Sequence, residues 1–384
     1  MAPIRPELAG RQPSLAAKVA AVPWPLIAVI TLIAAIGVMQ LHSVAAGAPA
    51  PWAERHAGRF ALGLIVIVAA ALVPLGAWLR LAYPLYAVAL MLLVLVSLVG
   101  IESMGARRWL GGGGFSFQPS EVMKVAIVLA LARYYQWLAP ERVSHPLYVA
   151  LPLAMILVPV VLVLRQPDLG TAALVMATGL GLMVLAGVNF AYFVAAGAGA
   201  VLLAPHLWAG LHDYQRRRIE VFLDPGLDPL GAGYHITQSK IALAAGGLTG
   251  RGFGEGTQSQ LDFLPEKHTD FIFTMLAEEW GLVGALGLLA LFALAIAMLW
   301  RMAIACESRF ARLVIAGNAI VLFLYVFVNV AMVTGLVPVV GVPLPLISYG
   351  GTAMTTILAG LGLSAAAYVH RQTRLRRGDV AAWP

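Results

Sequence analysis

Long apolar segments separated by short polar segments recur along almost the whole chain. Each apolar segment holds about 20 residues, the length that an α-helix needs to cross the roughly 30 Å hydrocarbon core of a membrane. We predict ten membrane spans, at residues 23–43, 59–78, 84–101, 120–138, 146–164, 170–188, 190–207, 270–299, 313–336 and 346–370. The pattern therefore predicts an all-α polytopic membrane protein with about ten transmembrane helices and no soluble domain at either end.

The longest polar interval, residues 208–269, falls between the seventh and eighth spans. Short loops and tails on one side of the predicted membrane carry most of the basic residues: Arg5, Arg11, Lys18, Arg80, Arg142, Arg301, Arg309, Arg312, Arg371, Arg374, Arg376 and Arg377. The other side carries fewer, at Arg55, Arg107, Arg108 and Arg165. The positive-inside rule predicts a cytoplasmic tail at 1–22, a membrane domain at 23–370 with an extracytoplasmic loop at 208–269, and a cytoplasmic tail at 371–384.

Composition supports the membrane assignment and excludes several functions. Hydrophobic residues make up 61% of the 384 residues and charged residues only 11%, whereas soluble domains hold about a quarter charged residues. The net charge of +7 comes from loops and tails, so we do not expect nucleic-acid binding. The first apolar segment lacks a cleavage site, which indicates a retained helix. A single cysteine, Cys306, precludes an intramolecular disulfide.

Charged residues also occur at the predicted ends of spans, where they need an explanation. Glu121 and Lys124 share one face of the fourth span, either as an ion pair that lets both enter the membrane edge or as part of a polar cavity open to the outside. We favour the cavity. Asp168 in RQPDLG could belong to the same site or cap the sixth span. The glycine run 111–114 predicts a flexible turn.

The large loop contains groups suited to an anionic lipid head group. Arg216, Arg217 and Arg218 form a basic cluster, and the stretch GYHITQSKIALAAGGL is typical of a short interfacial helix carrying Ser239 and Lys240. The glycine-rich stretch that follows carries Arg251. Cations and backbone amides of this kind bind diphosphates, but a simple solvated loop would have the same composition.

Six stretches, taken together, resemble a known family. RRWL with FQPSE, QPDLGTA, FLDPGLDPLGAGYHITQSKIALAAGGLTGRG, GTQSQLDFLPEKHTDFIFTMLAEEWGLVG and GVPLPLISYGGTA look like the successive signatures of the SEDS family of bacterial cell-wall proteins. The resemblance runs from the first span to the last. The stretch GTQSQLDFLPEKHTDFIF is more similar to the RodA branch, which acts in elongation, than to the FtsW branch.

The resemblance implies a ten-helix fold in the bacterial cytoplasmic membrane and an activity, peptidoglycan glycosyltransfer. The substrate would be lipid II, polymerised on the outer face of the membrane, with undecaprenyl diphosphate leaving. Family motifs imply that Asp270 is the catalytic acidic residue and that Trp109 serves activity or partner contact. They also imply one outward-facing cavity that holds Gln118, Glu121, Lys124 and Asp168. The implied partners are a class B penicillin-binding protein and the MreC and MreD elongation proteins.

The chemistry of the reaction suggests roles for further residues. A carboxylate that accepts the proton of an attacking sugar hydroxyl accelerates transfer by roughly 10²–10⁴-fold, and Asp270 has the required type and position. Cations for the departing diphosphate could be Lys124, Arg108, Lys240 or Arg251, and a divalent cation is a further option, although no protein metal site is predicted. Ser239 and His268 complete the candidate substrate-binding set, with His268 predicted mainly to position or pack.

Two other function classes stay open at this point. A lipid II flippase would also have about ten spans and buried acids, but its charges would gather at the midplane and its halves would contain paired broken helices. A scaffold that only recruits a transpeptidase is the third hypothesis. For Glu278 and Glu279, inside the eighth span, we predict a structural hydrogen-bond network rather than contact with the sugar.

Overall fold

The computed structural model describes residues 14–103, 106–112, 115–210, 213–229, 231–261 and 263–375, and nearly all of its regular structure is helical. The α-helices are α1 Leu15–Ala20, α2 Trp24–Val44, α3 Trp52–Leu72, α4 Leu75–Val99, α5 Pro119–Trp137, α6 Pro146–Leu164, α7 Leu169–Leu185, α8 Phe190–Leu202, α9 Ala204–Ala209, α10 Asp213–Leu223, α11 Ala232–Gly246, α12 Thr257–Gln260, α13 Ile272–Ile304, α14 Arg309–Val333 and α15 Gly351–Val369. Single 3₁₀ turns lie at Pro140–Arg142 and Pro225–Leu227.

The helices confirm a polytopic membrane protein. Seven of them, α2, α3, α4, α6, α13, α14 and α15, are long and apolar enough to cross a membrane. The three other predicted spans correspond to the shorter apolar helices α7 and α8 and to α5, which carries Glu121, Lys124 and Arg133. The predicted tails fall largely on residues 1–13 and 376–384, outside the described residues.

The second and third spans were predicted with the wrong bounds. The break between the two helices was predicted near Pro84. In the structure α3 ends before Val73, whose backbone is extended, and Pro74 is the N-cap residue of α4. Pro84 lies inside α4. At the other end, α3 begins at Trp52, before the predicted start at residue 59. The prediction missed its first two turns because they carry Glu54 and Arg55 and lie outside the apolar segment. The charged residues show where the apolar segment ends, but α3 itself extends beyond that point.

A small antiparallel sheet, which was not predicted, accompanies the helices of this all-α membrane fold. It consists of β1 Ile101–Ser103, β2 Ala106–Gly112 and β3 Phe115–Phe117, in the order β1-β2-β3. Ile101 pairs with Trp109 and Leu110 pairs with Phe117. The glycine run was predicted as a flexible turn, but its first two residues belong to β2, where Gly111 has a φ of 133°. Gly113 and Gly114 lie outside the described residues.

The centre of the helical bundle is formed by α5, α14 and α15. The most apolar windows of α14 and α15 are 67% and 78% buried, against 22% for α4, which faces outward. Most side chains of α5 are buried as well, including Met123, Ile127 and Tyr135. The polar residues on these three helices must therefore find their partners inside the protein.

Helix α13 is broken near its N-terminal end, which is the end predicted to face outward. Gly281 has a non-helical backbone with φ 67°, so the helix hydrogen bonds are interrupted there. The segment that follows α11 replaces them, because Leu282 N donates to Gly247 O at 2.9 Å and Arg251 N donates to Glu278 O at 3.0 Å. The two backbones approach so closely that a Cβ on Gly250 would lie 2.1 Å from Glu279 O. The outer part of α13 is thus bound to the large loop.

Candidate active site

Asp270 lies in the turn that leads from the large loop into α13. The turn is preceded by the fully buried Leu264, and α13 begins two residues after Asp270. Asp270 therefore stands at the outer end of α13 and outside its regular helix, and its side chain is half-buried. The structure thus places Asp270 where the large loop meets the helix predicted as the eighth span.

Hydrogen bonds join this turn to α14 and to the connection between α14 and α15. Asn329 Nδ2 donates to Asp270 O at 2.9 Å and also to Val342 O at 2.7 Å. Ser348 Oγ donates to Thr269 O at 2.6 Å. The amide of the residue after Ser348 donates to the backbone oxygen two residues before Asp270, at 2.9 Å. The stretches HTDFIF and GVPLPLISYGG, distant in sequence, thus form one rigid unit.

The carboxylate of Asp270 faces Gly341 and two charged neighbours. A Cβ on Gly341, whose φ is 73°, would lie 3.5 Å from Asp270 Oδ2. The pKa of Asp270 is raised from 3.8 to about 7, mainly by burial and in addition by the charge of Glu266, while the charge of Arg218 acts in the opposite direction. Near neutral pH the carboxyl group consequently exists in both protonation states, as a proton acceptor requires.

His268 is held by aromatic stacking. Its ring lies parallel to that of Trp52, with centroids 4.4 Å apart and an interplanar angle of 8°, and Tyr349 packs near it at 6.1 Å. Burial lowers the pKa of His268, so the ring is neutral near pH 7. Arg59 covers the Tyr349 ring at 5.0 Å. This arrangement fits the predicted positioning role of His268.

Glu121 and Lys124 form a buried cluster with Tyr325. Lys124 Nζ lies 2.7 Å from Glu121 Oε1, and both side chains are nearly inaccessible. The Tyr325 hydroxyl accepts from Lys124 and donates to the second carboxylate oxygen of Glu121. The ion pair that we considered the simpler explanation is therefore present, and Lys124 is already neutralised by its neighbours. Tyr325 was not predicted.

Asp168 holds the QPD and QPSE stretches together. Its Oδ1 accepts from Thr171 N at 3.1 Å and caps α7, as the alternative explanation predicted, while its Oδ2 accepts from Gln118 Nε2 at 3.0 Å. Arg108 donates to the backbone oxygens of Gln166, at 3.0 Å, and of Pro167. The guanidinium of Arg108 thus fixes the sheet to the start of α7 through its Nε and one Nη nitrogen. Trp109, next to it on β2, is half-buried.

The candidates in the large loop lie in different surroundings. Ser239 is fully buried and bonds Thr274 Oγ1 and Val333 O, both at 2.8 Å, so it fixes α11 to α13 and α14. Lys240 is exposed and packs on Gly335, where an added Cβ would lie 2.7 Å from its Nζ. Arg251 is also exposed. Of the predicted cations, Lys240 and Arg251 are accessible to a ligand, whereas Lys124 is buried.

Glu278 and Glu279 belong to a hydrogen-bond network, as predicted. Glu278 accepts from Thr257 Oγ1 at 2.9 Å and from Gln258 N at 3.2 Å. Glu279 accepts from Ser43 Oγ at 2.6 Å. Both carboxylates thus fix the loop and α2 to the outer part of α13.

Helix α14 connects the buried cluster with the Asp270 turn. Tyr325 binds Glu121 and Lys124, and Asn329, one helical turn further, binds the backbone of Asp270. The two residues share one face at i, i+4 spacing. Sequence reasoning missed both, although two polar side chains on one face of an apolar span are a signal of a polar interior.

Metal ligands are sparse in the described part of the chain. No group of three or more His, Cys, Asp or Glu side chains there could hold a metal ion. Glu266, whose Oε2 accepts from Thr269 Oγ1 at 2.7 Å, is the carboxylate whose charge acts on Asp270.

Comparison with known proteins gives consistent matches along the chain. A family model described as cell cycle protein, covering FtsW, RodA and SpoVE, matches residues 18–373. The peptidoglycan glycosyltransferase MrdB of Escherichia coli (strain K12) is 47% identical over 325 residues, which are 83% of this chain and 86% of that protein. The probable peptidoglycan glycosyltransferase FtsW of Geobacter sp. (strain M18) is 39% identical over 306 residues, 79% of this chain and 82% of that protein.

Solved structures are similar over the same region. One, described as structural coordination of polymerization and crosslinking by a peptidoglycan synthase complex, has a TM-score of 0.81 and 36% identity. Another, the rod shape determining protein RodA of Thermus thermophilus, has a TM-score of 0.70 and 32% identity. Each match covers 92% of this chain and 99% of the other chain.

Proposed function

Because the chain belongs to the cell cycle protein family of FtsW, RodA and SpoVE, it is a peptidoglycan glycosyltransferase, and we propose that Asp270 is its general base. The enzyme polymerises peptidoglycan during cell elongation. Its substrate in this proposal is lipid II, and the site faces the outer side of the bacterial cytoplasmic membrane with both termini in the cytoplasm.

The observation that supports this role best is the way Asp270 is held. Its backbone is fixed by Asn329, its carboxylate lies against the backbone of Gly341, and its pKa is raised to about 7 by burial. A general base works best when its pKa lies near the working pH, because it is then both available and able to take a proton. A fixed backbone keeps that carboxylate in place while lipid-bound substrates come and go.

The proposed reaction is a single displacement at the anomeric carbon of the donor. The 4-hydroxyl of the acceptor GlcNAc attacks the anomeric carbon of the donor MurNAc, and the hydroxyl proton passes to Asp270 as the new glycosidic bond forms. The bond from the anomeric carbon to undecaprenyl diphosphate breaks, and its electron pair leaves with the diphosphate. One direct displacement inverts the configuration at the anomeric carbon.

The departing diphosphate needs positive charge near Asp270. Arg218 is close enough for its charge to affect the pKa of Asp270, and Lys240 and Arg251 are exposed on the same large loop. We assign the diphosphate to these three cations because all three belong to the large loop that leads into the Asp270 turn, whereas Lys124 is fully buried in its ion pair with Glu121. The buried cluster of Glu121, Lys124 and Tyr325 then serves to hold α5 against α14 beneath the site.

A divalent cation is a further component of the proposal. Cations that bind diphosphates often need only one or two protein carboxylates, because phosphate oxygens and water complete the coordination. Glu266 is suited to that contact, and such an ion would neutralise the charge of the leaving group. Polymerisation that is unaffected by EDTA at millimolar concentration would contradict this component and leave the role of Asp270 unchanged.

The partner in this proposal is a class B penicillin-binding protein, a transpeptidase that crosslinks the new strands within a machinery that includes MreC and MreD. The likeness to a structure described as a peptidoglycan synthase complex that coordinates polymerization and crosslinking supports such a partner.

Reconstitution tests the proposal directly. The purified protein and its candidate transpeptidase are incubated with lipid II in liposomes, and glycan chains are resolved on a gel. Asp270→Asn should abolish polymer while keeping partner binding, and the control Glu255→Gln, an exposed carboxylate of the same loop, should leave it unchanged. Full activity of Asp270→Asn would remove this residue from the chemistry. Lipid II movement without any polymer from the native protein would instead support a flippase.

A further inference from the structure

A cavity of about 550 Å³ opens at the end of the bundle opposite Asp270. It lies where the turn between α1 and α2 meets the ends of α13 and α15. Most of its lining residues are apolar, and Arg301 and Arg371 are its charged residues. No acidic side chain lines it within the part of the chain that the structure describes.

The cavity lies at the level of the membrane interface. Trp24, at the first residue of α2, is 46% exposed, and Trp300, adjacent to Arg301, is 36% exposed. Amphipathic aromatic side chains of this kind concentrate where acyl chains meet head groups. On the same helix end, Ile304 is 76% exposed, as expected for a side chain that contacts lipid. The cavity thus opens towards both head groups and acyl chains.

The two arginines present their charge at this opening. Arg301 lies in the last turn of α13 and is exposed. Arg371 is half-buried, with its guanidinium 4.7 Å above the Tyr368 ring and one nitrogen donating to Tyr368 O at 3.3 Å. Stacking on Tyr368 orders the planar guanidinium and leaves its other donors available, which suits bidentate contact with a phosphate. The acidic residue near this end, Glu307, pairs with Arg374.

We propose that this cavity binds the head group of an anionic phospholipid from the membrane leaflet on the side of the chain termini. The phosphate would contact Arg301 and Arg371, and the first methylenes of the acyl chains would pack on Leu26, Met298 and Met302. Basic pockets between transmembrane helices commonly bind such lipids. A free phosphate would use the cations but none of the apolar wall, which is why we assign a lipid.

A bound lipid at this position would link three elements of the bundle. The cavity is shared by α2, α13 and α15, and α13 carries the Asp270 turn at its other end. An anionic lipid would therefore stabilise the packing of these helices without taking part in the sugar chemistry. The proposal does not depend on the identity of the catalytic base.

Native mass spectrometry of the full-length protein in detergent tests the site. Dioleoylphosphatidylglycerol is compared with dioleoylphosphatidylcholine, which has the same acyl chains. Two arginines should give about a 30-fold preference for the anionic lipid, and Arg301→Gln/Arg371→Gln should remove that preference. The control Arg80→Gln/Arg142→Gln removes the same charge from the same side of the membrane and should keep it.

A second variant separates the cavity from its charge. Ala305→Trp places a large side chain in the lining and keeps both arginines, so it should also reduce binding of the anionic lipid. The melting temperature should rise with phosphatidylglycerol in the native protein and in the control but not in the two cavity variants. Equal lipid preference in all variants would overturn the proposal, as would equal protection by inorganic phosphate alone.

Discussion

The pH dependence of polymerisation should follow the ionisation of Asp270. With a pKa of about 7, the carboxylate is half ionised at neutral pH. Activity should therefore fall to about a tenth of its plateau at about pH 6 and reach about nine tenths of it at about pH 8. This acid limb is unusual for an aspartate, because an aspartate in water would be fully ionised over the whole range.

Two variants should shift the acid limb of the pH–activity profile in opposite directions. The negative charge of Glu266 raises the pKa of Asp270, so Glu266→Gln should move the midpoint to lower pH. A glutamine at that position can still accept the hydrogen bond from Thr269. The positive charge of Arg218 lowers the same pKa, so Arg218→Gln should move the midpoint to higher pH.

The assay is the initial rate of lipid II polymerisation in liposomes, measured from about pH 5.5 to 8.5 with the partner present. The midpoint of each profile is compared, because the plateau also depends on contacts with the diphosphate. Circular dichroism at each pH controls for unfolding. A flat profile for the native enzyme, or a shift of both variants in the same direction, would refute the assignment of Asp270 as the titrating base.

Three further predictions concern stability in detergent, measured as the midpoint of thermal unfolding. The pKa of Asp270 is raised from 3.8 to about 7, mainly by burial, so its ionisation destabilises the fold increasingly as pH rises between those values. Asp270→Asn should therefore stabilise the protein above pH 7, by at most about 4 kcal/mol, and have little effect at pH 4. Glu121→Gln should destabilise the protein by about 3–5 kcal/mol because it leaves Lys124 as a buried unpaired charge, and an effect below about 1 kcal/mol would contradict that reasoning. Gly250→Ala should destabilise the protein by about 3 kcal/mol or more, since its Cβ would overlap a backbone carbonyl of α13. In the control Gly254→Ala the new Cβ has nothing within 4 Å, so the variant should cost only about 1–2 kcal/mol of backbone strain. Equal effects of the two variants would refute the close approach of the two backbones.

The sequence predicted the membrane spans well where proline and charge marked both ends. Helix α6 has the predicted bounds, because Pro146 starts it and the polar run from Arg165 ends it. Prediction failed at α3 and α4, since Pro74 and Pro84 lie in similar apolar surroundings and only tertiary packing decides which one breaks the helix. The sheet was missed because a glycine run has low strand propensity and gains its order from pairing.

The sequence indicated the acidic residue of the candidate site but not the residues that hold it in place. Resemblance pointed to Asp270, and to Asp168 and Gln118, which the structure brings together. The residues that hold the site, Tyr325 and Asn329, lie in an apolar span whose sequence gives no indication of which distant loop each one contacts. The charges of Glu266 and Arg218, which shift the pKa of Asp270, lie in separate parts of the large loop. Their spacing in the sequence does not show that they lie close to Asp270 in the fold.

The break in α13 separates a membrane-spanning part of the helix from a shorter part that leads to Asp270, the proposed base. Residues 272–279 are buried in protein, whereas Leu282 and Val283, just past the break, are 50% and 67% exposed. Residues 282–304 alone, about 34 Å at 1.5 Å per residue, are long enough to cross the hydrocarbon core. The outer part adds about 13 Å. In the proposed mechanism the diphosphate of the lipid carrier therefore spans the distance between the hydrocarbon core and the Asp270 turn. In that mechanism a sugar joined directly to the acyl chain would stop short of Asp270.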